Sequence, residues 1–138
     1  MAFRTSRPLR FGDCDPSGIA YFPSYLHHLV GVMEEFFGSL GFPWEAMIAR
    51  DHVGLPTVRL DLTFVHPGFH GDRLDFELAV RRIGRTSLDM QHRVSAGGTL
   101  LWSADHRVVA TSTDTHTSIP WPDALRAALE RHLETTDA

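Results

Sequence analysis

From residue 58 onward the chain keeps a two-residue period, and that pattern limits the fold more than any other feature. In VRLDLTFV, Val58, Leu60, Leu62 and Phe64 alternate with Arg59, Asp61, Thr63 and Val65, as in a strand with one face in a core. Leu74, Phe76, Leu78 and Val80 alternate with Asp75, Glu77, Ala79 and Arg81; Leu88, Met90, His92 and Val94 alternate with Asp89, Gln91 and Arg93. A fourth run extends from Leu100 to Ser112. The breaks PGFHGD, IGRTS and SAGGT carry the glycines of turns, so the four runs predict an antiparallel meander. The first half reads differently. Residues 3–11 are extended up to Gly12, and Leu26, Leu29, Val30, Met33, Phe36, Phe37 and Leu40 then recur at helical spacing. Pro23 leads into that helix, read over Tyr25 to Leu40, and Gly41 stops it. PWEAMIAR, residues 43–50, predicts a short second helix, and Pro120 and Pro122 introduce a last one near Asp123 to Leu133. One apolar helix and one half-apolar sheet have only each other to bury against. The expectation is an α+β fold, a curved antiparallel sheet wrapped around a long central helix.

With 138 residues the chain predicts a single domain over 1–138. A net charge of −4 argues against a nucleic-acid-binding surface. All 13 basic residues are arginine, which excludes a lysine Schiff base and a P-loop lysine alike. Cys14 stands alone, so there is neither an internal disulfide nor a multi-cysteine zinc site, as suits a reducing compartment. The N-terminus has no signal-peptide core, and no run is long and apolar enough to span a membrane. A soluble, cytoplasmic protein is expected.

The segment DCDPSG, residues 13–18, has the opening spacing of a calcium loop, with Asp13, Asp15, Ser17 and Gly18 in register. Ser24 stands where the bidentate glutamate belongs, and a strand leads in where a helix should. His27 and His28 diverge on the helix, His66 and His70 bracket a turn without a third ligand, and His92 and His106 sit in strand patterns as packed or satisfied residues. No metal is expected. The loop does, however, run into a helix start, where unpaired N–H groups and the positive end of the macrodipole stabilise an oxyanion. Tyr21 to Ser24 lie there. Asp15, turned by Pro16 and Gly18, either places a carboxylate beside them for acyl transfer or simply caps backbone amides of its own turn. Asp13 is expected to support the turn.

FGDCDPSGIAYFPSY, followed by the long helix, FPW and the strands, resembles the hotdog-fold acyl-CoA thioesterases of the 4-hydroxybenzoyl-CoA thioesterase type. The likeness runs through GLPTV and RRIGRTSL and covers nearly the whole chain. It implies that Asp15 is the catalytic carboxylate, as nucleophile or as general base for water, and that the backbone N–H of Phe22 binds the thioester oxygen. It implies a homodimer with continuous sheets and active sites at the interface, or a homotetramer. Related thioesterases of the Tol–Pal type usually carry histidine where this chain has Phe22, so the resemblance favours the hydroxybenzoyl subgroup. That subgroup has acidic residues in the second turn of the helix, where this chain reads HHLVGV. An unsubstituted aromatic or short-to-medium-chain acyl group fits as well as a phenolic one.

Coenzyme A is part of the implied substrate, and no separate cofactor is expected. Its phosphates require a local basic patch in an acidic protein. Arg81, Arg82 and Arg85 surround the IGRTS turn, where the resemblance places nucleotide contacts, although Gly84 and Thr86 replace basic residues of the relatives. Arg85, Ser87 and Arg82 are the substrate-binding candidates. Two other readings stay open: a hotdog hydratase or dehydratase, which commonly has histidine five residues after the aspartate where this chain has Ala20, and a non-catalytic acyl-CoA-binding module.

Overall fold

The computed structural model describes residues 1–134, so the last four residues of the domain read over 1–138 lie outside the described residues. Strand β1 (Phe3–Pro8) passes through a 3-10 turn (Phe11–Asp13) and a loop to helix α1 (Phe22–Ser39). The chain continues through α2 (Trp44–Ala46), a π turn (Met47–Asp51), β2 (Val53–Gly54), β3 (Thr57–Phe64), β4 (Arg73–Ile83), β5 (Ser87–Ala96), β6 (Thr99–Val109), β7 (Thr111–Ser112) and α3 (Asp123–Glu130). The five-stranded antiparallel sheet has the order β1-β4-β5-β6-β3.

Helix α1 begins three residues before the apolar spacing predicts, because Pro23 occupies its first turn, where a missing N–H costs nothing. It ends as Gly41 adopts φ +88°, the Gly41 N–H donating to Gly38 O and the Phe42 N–H to Phe37 O. That pair of bonds is a Schellman stop, which a left-handed glycine makes without strain. Leu29, Val32, Met33, Phe36 and Phe37 form its buried stripe. They pack on Leu74, Phe76, Leu78 and Val80 of β4, Leu88, Met90 and Val94 of β5, and Trp102, Ala104 and Val108 of β6. Each large side chain buried this way contributes about 2 kcal/mol. Bulges at Val80/Arg82, Thr57/Arg59 and Val94/Ser95 add to the curl of the sheet around the helix.

Two expectations need correction. The four long strands do not form a simple meander: β4, β5 and β6 do, but β3 pairs with β6 at the far edge. The free side of β4 is already taken by β1, in register from Phe3↔Leu78 to Pro8↔Arg73. The connection 65–72 must therefore cross one end of the sheet to reach β4. The alternation in β3 also fails to become burial, since Val58 is 56% and Phe64 52% exposed on this edge strand. Boundaries shift less. The first strand ends at Pro8 with a 3-10 turn following, and the second helix is one turn of α-helix continued by the π turn. No helix among the described residues is long and apolar enough to cross a membrane.

Candidate active site

The DCDPSG loop is a small hairpin. Cys14 bridges Ala20, the Asp15 N–H donates to Ile19 O (2.9 Å), and the Gly18 N–H donates to Asp15 O (2.9 Å). Gly18 closes the tip at φ +85°, a conformation open to glycine at little cost. The crossing connection clamps the hairpin from outside: the Ala20 N–H donates to Gly68 O, the His70 N–H to Gly18 O, and Ile19 bridges Phe69. Gly68 makes this approach possible, because a Cβ there would stand 2.5 Å from the Tyr25 hydroxyl and 3.2 Å from Leu9 Cδ2. Burial raises the pKa of that tyrosine.

Asp13 holds the inner side. Its Oδ2 accepts from the Arg10 N–H (2.9 Å) and from His28 Nε2 (3.0 Å), and its carbonyl accepts from the Tyr21 N–H (2.9 Å). Burial alone would raise its pKa, but the Arg10 N–H and His28 outweigh that and hold it below the ordinary carboxylate value. The supporting role read for Asp13 is thus a set of three bonds, and His28 is the partner that the sequence did not reveal. Fifteen residues separate the two, with no periodic signal linking them.

Asp15 is only partly covered. Its Oδ1 accepts from the Ser17 N–H (2.8 Å) and the Ser17 hydroxyl, while Oδ2 accepts from no described residue. The Ser17 hydroxyl first, then the Ser17 N–H, lower its pKa, so the carboxylate is ionised at neutral pH. The amide-capping geometry considered from the sequence is present, and it leaves one oxygen for other work. At the helix start, the Ser24 N–H turns back to Tyr21 O (2.8 Å), Pro23 has no N–H, and Tyr21 is engaged by Asp13. Among these first-turn donors the Phe22 N–H alone has no acceptor among the described residues. Around it lie exposed aromatic rings. Phe22 contacts Phe64 at 6.0 Å and Tyr21 at 6.3 Å, and Phe64 stacks on Tyr25. Burial raises the Cys14 pKa, which leaves the thiol protonated and poorly nucleophilic in this loop.

The basic candidates sit elsewhere. Arg82, Arg85 and Ser87 belong to the β4–β5 turn, at the opposite end of the sheet from Asp15. At about 3.3 Å per residue, β4 puts roughly 30 Å between the ends. Helix α3 and the segment before it fix this turn: Arg126 donates to Gly84 O (2.6 Å), the Trp121 indole to Ser87 O (3.0 Å), and the Trp121 N–H to Arg85 O (3.3 Å). The Ser87 hydroxyl occupies the space where a Gly84 side chain would project. Arg82 and Arg85 are exposed and form no ion pair among the described residues. Arg81 leaves the expected cluster, since it donates to Gln91 Oε1 (2.7 Å) and Glu134 O. Asp15 and Phe22 belong to the same clamped loop and helix start, at one end of the sheet; the basic turn lies at the other.

A family model described as the thioesterase-like superfamily matches residues 9–129. The chain belongs to that superfamily. Its fold is the hotdog fold, and its named relatives hydrolyse acyl-CoA thioesters. The 4-hydroxybenzoyl-CoA thioesterase of Pseudomonas sp. (strain CBS-3) is 35% identical over 89 residues, a match that spans 63% of each chain, less than two thirds of that relative's length. The 1,4-dihydroxy-2-naphthoyl-CoA hydrolase of Synechococcus elongatus is 28% identical over 133 residues, covering 96% of this chain and 92% of the relative. Among solved structures, a thioesterase superfamily protein from Jannaschia sp. CCS1 superposes with a TM-score of 0.90 at 27% identity, over 97% of this chain and 94% of the other. A 4-hydroxybenzoyl CoA thioesterase complexed with 4-hydroxybenzoyl CoA gives 0.84 at 26% identity, over 92% and 98%.

Proposed function

We propose that this protein hydrolyses an aromatic acyl-CoA to the free acid and coenzyme A. One observation carries the reading: a single clamped loop presents an ionised carboxylate with a free oxygen, Asp15, and seven residues later the unpaired first-turn N–H of Phe22. In the proposed reaction the thioester oxygen accepts from the Phe22 N–H, which stabilises the negative charge that develops on it. Asp15 either attacks the carbonyl carbon and expels the coenzyme A thiolate, leaving an anhydride that water opens, or removes a proton from the water that attacks directly. Both routes consume one water and yield one acid and one thiol, and neither uses a cofactor. The rings of Phe22, Phe64 and Tyr21 offer an apolar bed for an aromatic acyl group, the class named for the relatives. Val30, 48% exposed on α1, offers no charge to a phenol and supports unsubstituted aromatic or medium-chain acyl groups as a second substrate class.

The proposal includes a homodimer, alone or within a homotetramer. The unpaired edge of β3 exposes Val58 and Phe64, and Val65 follows them, a surface that invites strand pairing. Pairing two copies of this edge antiparallel about a two-fold axis sets the Asp15 end of one subunit beside the basic end of the other. Coenzyme A phosphates then meet Arg82, Arg85 and Ser87 across the seam while the thioester reaches Asp15.

The test is thiol release from a panel of aromatic and aliphatic acyl-CoAs by wild type and Asp15→Asn. Turnover of aromatic thioesters that vanishes in the variant is expected. A fully active variant would remove Asp15 from the mechanism, and no turnover of any thioester would favour the binding-module reading. Single-turnover hydrolysis in labelled water separates the two routes, because label enters Asp15 only through the anhydride.

A further inference from the structure

We infer that His28 is a positioning residue for the acyl-transfer loop, acting through Asp13. The inference rests on the roles proposed for Asp15 and Phe22. His28 lies in the second turn of α1, almost wholly buried, with its ring stacked on Phe76 at 6.0 Å. Side chains on a helix lean toward its N-terminus, and this one reaches back to Asp13. Because the Asp13 carboxylate is ionised, the imidazole donates from Nε2.

Asp13 thereby grips the helix at two places, its carbonyl on the Tyr21 N–H and its carboxylate on His28, while the Arg10 N–H anchors it from the strand side. Both donors converge on the same oxygen, Oδ2, which fixes the plane of the carboxylate. Asp15 follows two residues later and bonds within its own turn only to Ser17, so the direction of its free oxygen depends on where Asp13 is held. Engaging the Tyr21 N–H also leaves the neighbouring Phe22 N–H as the available donor. Asp13 therefore bears on both reacting groups, and His28 holds its carboxylate in place. Misplacement of such groups by about 1 Å costs on the order of 100-fold in rate.

The experiment compares kcat and KM for His28→Leu, His28→Gln, His28→Asn and Asp13→Ala, with the double variant Asp13→Ala/His28→Leu and with Asp15→Asn in parallel. His28→Leu is expected to lower kcat about 10- to 100-fold with KM little changed. His28→Gln, whose amide N–H reaches the place of Nε2, should recover most of the loss; the shorter His28→Asn should not. Asp13→Ala, which also removes the Arg10 bond, should lose at least as much as His28→Leu, and adding His28→Leu to Asp13→Ala should cost nothing further, as for two residues in one contact. Wild-type kcat in His28→Leu would overturn the inference, as would a His28→Gln as impaired as His28→Asn. The Gln and Asn pair carries the test if His28→Leu does not fold. If His28→Leu is normal while Asp15→Asn is inactive, only the positioning role fails. An active Asp15→Asn would instead break the catalytic reading beneath it.

Discussion

The two ends of the sheet are built by opposite means. At the Asp15 end, backbone bonds from the crossing connection and the Asp13 grip hold a hairpin, and a few polar groups are left uncommitted: Asp15 Oδ2 and the Phe22 N–H. At the basic end, Arg126 and Trp121 take up the turn carbonyls, and the guanidinium groups of Arg82 and Arg85 are exposed without an ion pair among the described residues. A fixed backbone with few open valences suits bond making; exposed charge on a fixed turn suits holding phosphates in water. Under the proposed function both ends serve one reaction, and a single subunit holds them far apart.

The sharpest way to test this division is at Asp15. Asp15→Asn keeps the Ser17 contacts and removes the charge, and is expected to lower kcat by about 1,000-fold or more with folding unchanged. Equal loss through KM would mean that the aspartate only binds substrate. Next in size is the edge of β3. Placing charge there with Val58→Asp and Val65→Arg should convert the proposed dimer to monomer, with about 100-fold less activity, measurable by light scattering beside thiol release. Activity that survives in a proven monomer would show that one subunit suffices. Arg85→Ala should raise KM about 10-fold and leave kcat nearly unchanged, with a weaker effect at high salt. If KM stays constant, the nucleotide is held elsewhere.

The smallest effect concerns stability near the basic end. His92 Nε2 meets His106 Nδ1 at 3.1 Å, and His106 Nε2 meets the Thr57 hydroxyl at 2.9 Å, at the start of β3. Burial first, then the charge of His106, lowers the His92 pKa from 6.5 to about 3, and burial lowers that of His106 to about 4. Both are neutral in the fold and take up protons more readily when unfolded. Their contribution is whole above pH 6.5 and is lost as pH falls below it, down to the folded values. Urea unfolding should show roughly 1 kcal/mol less stability at pH 6 than at pH 7; no change would mean the imidazoles are not buried as neutral groups.

Much of this was legible in the sequence, for local reasons. Pro16 and Gly18 announced the turn around Asp15, Gly41 announced the helix stop, and alternation gave the inward residues of β4 and β5. What the sequence could not yield depends on distant partners. Alternation tells which side of a strand is apolar and not which strand lies beside it, so nothing in VRLDLTFV revealed that β1 had claimed the edge of β4. The same blindness hid the exposure of Val58 and Phe64. His28 read only as one of two diverging helix histidines, because its bond crosses fifteen residues to Asp13. Arg81 reads like Arg82 in the sequence, and only the fold places Gln91 of β5 within its reach.

Gly68 has a bearing on how such a protein can diverge. It is buried in the crossing connection, its carbonyl holds Ala20, and a methyl group in its place would meet the Tyr25 hydroxyl. A descendant that gains a side chain at 68 must surrender the phenol at 25 or let the hairpin drift. Positions 25 and 68, forty-three apart and neither in the reaction, should then be inherited as a pair, and a library randomised at both should return small residues at 68 wherever tyrosine is kept at 25.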